Sequence, residues 1–520
     1  MQRSKSVMPG HAALAEPTGE AAPPTRRWGF WRRVDPLVYA VGAVSFVVYV
    51  VQGFEGVLTR DLGIYSYAGE QVADGTPPYV GILNRAGPLA HLIPGLGALG
   101  ARVTGVDDLR GMRVLFMLIS VGCVCMLYLL ARDLFTSKLA GLLGAAAMLS
   151  FSGFITYATN GPREKTPMVF FLVCALWAIV GRRWFTAGFA LSLSVLVWQP
   201  VFLVGIATAA VAVLALPVRE LLRAAVRFVL GGVVPLAVMI VYFAIVGALN
   251  EFVQAFFLIP RQYQNPNHFA DHAHVALVSI RAGFGPSRWL IPIGLVTLAV
   301  LAVAAVARRN WRDPVHISVA AVFAGSLAGV AFTSYDFERW PDLFVLLPLA
   351  AVGVGGLITP ILTRVPPRLG LALTLLPVAA GVAFAAHHSL VRNDHRLVVQ
   401  QHSVDAALAQ LPPDATILSI EAPQPLVLSG MTNPTRHQTF SSGLNHYVDD
   451  HYPGGLRGYG DFVARDKPTL IAIGIKHGTP AWLQPTITSE YERVGQAPLW
   501  TWYALRSLGP DVLAALRSHL

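Results

Sequence analysis

The sequence predicts a polytopic α-helical membrane protein that closes with a small C-terminal α/β domain. Hydrophobic residues make up 54% of the 520 and charged residues 13%, about half the charge of an ordinary soluble domain. The apolar residues gather in runs of bilayer-spanning length. Beyond residue 390 they give way to short apolar strands alternating with amphipathic helices.

Residues 1–33 read as a cytoplasmic tail without ordered structure, rich in Ala, Pro, Gly and Arg and closed by "RRWGFWRR". It lacks the apolar core of a cleavable leader. Residues 34–389 then offer about eleven spans, near 36–54, 112–131, 138–158, 167–181, 184–198, 200–216, 226–247, 289–307, 315–333, 341–360 and 368–387. The stretch "GPLAHLIPGLGALGARVTG", Gly87 to Gly105, is apolar but rich in Gly and Pro. It reads as a helix lying in the membrane interface.

Charge supports that choice. With the N-terminus cytoplasmic, the loops "ARDLFTSK", "GRRW", "PVRELLRAAVR", "ARRNWRD" and "TRVPPR" all fall inside, each with at least two Lys or Arg, as the positive-inside rule requires. Counting Gly87–Gly105 as a span would expel "GRRW" and "PVRELLRAAVR". Outside then lie Glu55–Gly111, "TNGPREKTP", Asn250–Arg288, "SYDFERWPD" and everything after His388. Residues 390–520 form the extracytoplasmic α/β domain: "DATILSIE" and "PTLIAIGI" read as buried strands, "SVDAALAQL" and "RGYGDFVARD" as helices, and "YERVGQ" with "LWTWYAL" as a strand pair.

The formal charge of +10 sits between apolar runs, where it sets topology, and so argues against nucleic-acid binding. Cys123, Cys125 and Cys174 fall inside apolar runs and read as buried thiols without a disulfide framework or metal-ligand spacing.

Polar density on one side of the membrane points to chemistry. The first outer loop carries Arg60, Asp61, Glu70, Asp74, Asn84 and Arg85, and the second carries Asn160, Arg163, Glu164 and Lys165. Short outer loops normally lack cations, so Arg163-Glu164-Lys165 breaks the pattern that the rest of the chain obeys. A helix starting near Leu62 would place Leu62, Tyr65, Gly69, Val72 and Ala73 on one face and could lie flat on the membrane. Asp61 would be its N-cap, its charge favoured by the helix dipole. In "IPRQYQNPNHFADHAH", His268, Asp271, His272 and His274 have spacings that a divalent cation could use, although histidines that are solvated or cap a short helix are the better reading. Trp198 and Gln199 stand at the outer end of a span, where Gln199 can face a cavity.

One span, then "RDLGIYSYAGEQVADGTPPYV", then "NRAGPLAHLIPGL", then two spans and "NGPREKTPMVFF": in this order and sidedness the chain resembles the GT-C membrane glycosyltransferases. The likeness is to the superfamily of protein O-mannosyltransferases and lipid A aminoarabinose transferases that use polyprenyl-phosphate sugars. It implies a GT-C-like bundle with interfacial helices in the first outer loop. Asp61 is similar to the acidic residue that acts as, or positions, the general base. Arg85 with Pro88 resembles the basic-residue-plus-proline element, Glu164 the second-loop acid, and Arg339 in "DFERWPDLFVLLP" the late basic element near the lipid phosphate. Arg60, Tyr65, Arg163 and Lys165 complete the expected substrate-binding set.

The chemistry of such a transfer needs cations for the departing phosphate and a carboxylate for the acceptor's proton. The expected partners are therefore a polyprenyl-phosphate sugar, membrane lipid, and a glycan, lipid or protein acceptor, with inversion at the sugar. A metal cofactor is left open. The rival reading, a transporter or flippase of lipid-linked saccharides, calls for paired repeats and mid-bilayer charges; the chain shows no internal repeat.

Overall fold

A computed structural model of the chain describes residues 35–263, 266–307, 313–392, 394–476 and 478–520. The tail expected over 1–33 lies outside the described residues. Leu37–Leu520 form one compact unit. It opens with α1 (Pro36–Gln52), α2 (Arg60–Ala73), α3 (Leu89–Thr104) and α4 (Asp108–Phe135). There follow α5 (Lys138–Leu149), α6 (Ser152–Asn160), α7 (Lys165–Val180), α8 (Trp184–Val197), α9 (Phe202–Leu214) and α10 (Val218–Ile245). The later apolar runs fold as helices Leu290–Ala307, Pro314–Tyr335, Leu347–Gly356 and Pro367–Val391.

Each of the eleven apolar runs thus falls on helix. Among the described residues, five helices are long and apolar enough to cross a membrane, or six if α5 and α6, bent by 68° at their break, make one span. Five shorter apolar helices of 10–17 residues hold the remaining runs. Packing between them relies on glycine. A Cβ on Gly188 of α8 would lie 1.9 Å from the Phe228 carbonyl of α10, and one on Gly231 of α10 would lie 2.0 Å from the Phe185 carbonyl. Such backbone contact is how apolar helices gain dispersion energy where lipid is as apolar as their side chains.

The structure corrects two expectations about the first loop. The N-cap of α2 is Thr59, whose Oγ1 accepts from Leu62 N at 3.4 Å. Asp61 lies inside the first turn, its carboxylate left for other partners. Nor is α2 a helix with one face left open, because nine of its fourteen residues are buried. Gly69 meets Pro94 and Gly95 of α3, where an added Cβ would come within 2.7 Å of Pro94, while Gly63 meets Pro423 and Gln424. The apolar stripe is real, but the opposite face is covered by the C-terminal part of the chain. The helix expected over Gly87–Gly105 is α3, packed on α2 and α4.

The C-terminal part carries a four-stranded sheet, β1 (Ile417–Ile420), β2 (Leu470–Gly474), β3 (Tyr491–Ala497) and β4 (Trp500–Leu505), in the order β1-β2-β4-β3. β1 and β2 pair in parallel, and β4 runs antiparallel to both β2 and β3. Every residue of β1 and β2 is buried, as their unbroken apolar runs require. β4 alternates buried with partly exposed residues, and β3 buries Tyr491, Val494 and Ala497 with exposed or partly exposed residues between them. Helix Gly455–Asp466 precedes β2, and helix Arg396–Leu408 precedes β1.

This part is bonded to the first loop. Gln400, fully buried, accepts from Leu58 N at 2.8 Å and donates to Leu58 O at 3.0 Å. Asn433 N donates to the Tyr67 hydroxyl at 3.0 Å, and Leu83 N to Arg436 O at 2.8 Å. On the other side Arg113 of α4, fully buried, donates to the carbonyls of Phe54, Gly56 and Gly161. One guanidinium therefore joins the segment that leads into α2 to the loop that leads into α7.

Candidate active site

The first turn of α2, the loop before α7, and residues from the far end of the chain converge on one cavity of about 380 Å³. It brings together seven of the residues expected from sequence: Arg60, Asp61, Tyr65, Arg85, Arg163, Glu164 and Lys165. Asp61 is held on both oxygens. Oδ2 takes Arg163 Nη1 at 2.7 Å and Oδ1 takes Arg60 Nη2 at 2.9 Å. Burial pushes the Asp61 carboxyl up, but the Arg163 and Arg60 guanidinium groups outweigh it and hold the acid well below the usual carboxylate range.

Arg163 is shared. Its Nε lies 3.2 Å from Glu164 Oε2, and its guanidinium stands over the rings of Tyr65 and Tyr157, 5.9 Å from each centroid. Burial, then the Glu164 carboxylate, push the Tyr65 phenol up, so it stays protonated and able to donate. Lys165 pairs with Asp342 and sits 4.7 Å over the Trp198 ring. Asp342 is itself fixed by the backbone N–H groups of Glu338 and Arg339, each 2.9 Å from Oδ2. Arg85 donates to Ser442 O at 3.1 Å and lies 3.4 Å from Glu338 Oε1. Its own carbonyl accepts from Gln199 at 3.0 Å, so Gln199 buttresses the site as well as lining it.

The two carboxylates differ in access. The Asp61 side chain is 38% exposed and that of Glu164 4%. The cavity also has an apolar wall of Phe202, Leu203, Phe332, Pro200 and Pro260. Phe202 and Leu203 remain half exposed, which gives the polar site an opening along a hydrophobic surface.

The eighth expected residue stands apart. Arg339 lines a second, adjoining cavity. In the histidine-rich segment His268 Nδ1 is bonded to Tyr335 O and His272 Nε2 to Phe337 O, both at 2.8 Å. Among the described residues no group of three or more His, Cys, Asp or Glu is placed to hold a metal ion. Sequence reasoning missed Glu421, which takes Arg60 Nη1 at 2.6 Å, and Ser441, which takes the same atom at 2.7 Å. It also missed the carboxylates of "YDFERWPD", Asp336, Glu338 and Asp342, which line the cavity. Their position beside Arg339 in a polar outer loop was the available signal.

Residues 90–244, under a third of the chain, match the model of the family described as dolichyl-phosphate-mannose-protein mannosyltransferase. The structure is similar to that of ArnT from Cupriavidus metallidurans bound to undecaprenyl phosphate, with a TM-score of 0.64 at 15% identity over 91% of this chain and 99% of that one. It is also similar to the oligosaccharyltransferase of Archaeoglobus fulgidus in the apo form, with a TM-score of 0.54 at 13% identity over 95% and 78% of the two chains. No curated protein matches the chain. The fold is that of the GT-C glycosyltransferases. The superfamily read from the order of the charged loops is thereby borne out, and the family match over α3 to α10 is likewise to a glycosyltransferase. Within this GT-C fold the cavity of Asp61 lies where α2, the loop before α7 and the C-terminal part of the chain meet.

Proposed function

We propose that the chain transfers a sugar from a polyprenyl-phosphate donor to an extracytoplasmic acceptor in the cavity around Asp61, with inversion at the sugar. The observation that carries this reading is a half-exposed carboxylate held by two guanidinium groups in a cavity that is polar at one end and apolar at the other. ArnT, similar in fold over nearly its whole length, was solved with undecaprenyl phosphate.

The donor's prenyl chain would leave along Phe202 and Leu203, with its phosphate among Arg85, Arg163 and Lys165. As the C1–O bond to phosphate breaks, the electron pair stays on the phosphate oxygen, and these fixed cations stabilise the growing charge without reorganising. The acceptor oxygen forms the new bond to C1 from the opposite face, and Asp61 takes its proton. Glu164 acts through Arg163, being almost fully enclosed. Donor binding also tunes the base. A phosphate that competes for Arg163 removes part of the field that keeps Asp61 weakly basic, so the carboxylate gains proton affinity when the donor is in place.

Asp61→Asn keeps the shape of the site and removes the base. Transfer in membranes should fall by about 10²- to 10⁴-fold while binding of undecaprenyl phosphate persists. Full transfer activity in that variant would remove Asp61 from the role.

A further inference from the structure

Beside the cavity of Asp61 lies a second, of about 420 Å³, and the two share Arg60, Glu338, Ser441 and Ser442. The rest of its wall includes Arg339, Asn445, His446 and Lys476, with no aliphatic or aromatic hydrocarbon side chain among its lining residues. A prenyl chain has nothing to bind there.

The charge of this wall is unbalanced. Arg60 is already paired with Asp61 and Glu421, which leaves Arg339 and Lys476 facing one carboxylate, Glu338, and Glu338 already accepts from Arg85 at 3.4 Å and from the Ser442 hydroxyl at 2.9 Å. Among the described residues, neither Arg339 nor Lys476 has a carboxylate within ion-pair distance. Desolvation first, then the positive fields of Arg339 and Arg60, push the Lys476 ammonium down, outweighing the Asp61 and Glu338 carboxylates. Arg60 reaches from this wall to Asp61 Oδ1, so a group held here is one side chain away from the carboxylate.

We propose that the second cavity seats an anionic group, phosphate or carboxylate, of a saccharide acceptor. The acceptor is then an acidic glycan whose charge is read by Arg339 and Lys476 and whose hydroxyl is presented toward Asp61. This rests on the donor reading of the first cavity. Ser441, Ser442 and Asn445 supply neutral donors and acceptors for sugar hydroxyls, and Glu338 disfavours a second anion on the same side.

The test uses the full chain in lipid nanodiscs, with glucose 6-phosphate, glucuronate and glucose as titrants, with and without saturating undecaprenyl phosphate. The charged sugars should bind in both conditions and glucose at least about tenfold more weakly, with Lys476→Ala and Arg339→Ala each costing about tenfold. Lys476→Arg should retain binding. Lys476 is exposed in the turn after β2, and an unchanged affinity for undecaprenyl phosphate in Lys476→Ala shows that the fold is kept. Binding of glucose as tight as that of the charged sugars, or no effect of Lys476→Ala, overturns the proposal. So does displacement of the charged sugars by undecaprenyl phosphate, which would give these cations to the donor. Failure of undecaprenyl phosphate to bind at all counts against the donor reading, while the titration without lipid still decides the second cavity.

Discussion

Asp61 is a carboxylate whose surroundings disagree: burial favours the neutral acid, and Arg163 and Arg60 favour the anion and prevail. With the acid depressed below its ordinary value near 4, its loss of charge lies below about pH 4, so the resting enzyme should show no acidic limb from Asp61 above that pH. Arg163→Gln removes the larger of the two stabilising charges and leaves the burial. The Asp61 pKa must then rise, and the acidic limb of kcat/KM should move upward, with a fall in rate of about 10²- to 10³-fold at neutral pH. A pH–rate profile checks this, and an unmoved limb would dissociate Arg163 from Asp61. At this scale the sequence was informative where charge broke a rule. Arg163, Glu164 and Lys165 stood out because cations are rare in a short outer loop. Glu421 and Ser441 stood out in nothing, since their role depends on a fold that brings positions 361 and 381 residues apart against Arg60.

At the scale of elements, the helices were legible because a span must be long and apolar, and all eleven runs fall on helix. The burial of α2 was not, because its second face is covered by Pro423 and Gln424, far away in sequence. That packing leaves no room at Gly69. Gly69→Val would press into Pro94 and Gly95 of α3, and overpacking of this kind costs about 1–3 kcal/mol, to be seen as a lower Tm. Arg113 gives a sharper test of how two elements are set against each other. Arg113→Met leaves the carbonyls of Phe54, Gly56 and Gly161 without their donor, and Arg113→Lys cannot span three acceptors with one compact ammonium. Both should lower kcat far more than the affinity for undecaprenyl phosphate, as Asp61 and Arg163 drift apart. Rescue by lysine would mean that the charge alone matters.

Across the whole molecule, the C-terminal part of the chain is a wall of the site. Its strands and helices could be read from apolar runs and amphipathic periods, but nothing in them announced that Glu421, Ser441 and Ser442 meet Arg60 of α2 and the outer-loop residues Arg85 and Glu338. Gln400 is the most enclosed of the connections, with both polar atoms engaged by Leu58. Gln400→Leu should therefore lower stability by about 1–3 kcal/mol and weaken transfer without any contact to substrate. Thermal unfolding alongside transfer rate checks both, and a fast variant with a lowered Tm would show that the wall need not be rigid.

Arg60 stands in both cavities and holds Asp61 between them. Arg60 divides its charge between Asp61 and Glu421, and while the second cavity is empty the share that bears on Asp61 would leave a water molecule arriving beside the donor with a weaker base. An anion seated next to Arg60 would take up a further part of that charge, adding to the gain in proton affinity that the donor phosphate produces through Arg163, so that the carboxylate would be most basic with both substrates bound. The enzyme would thus spare its activated lipid from hydrolysis until the second substrate has arrived, a safeguard built from a single guanidinium.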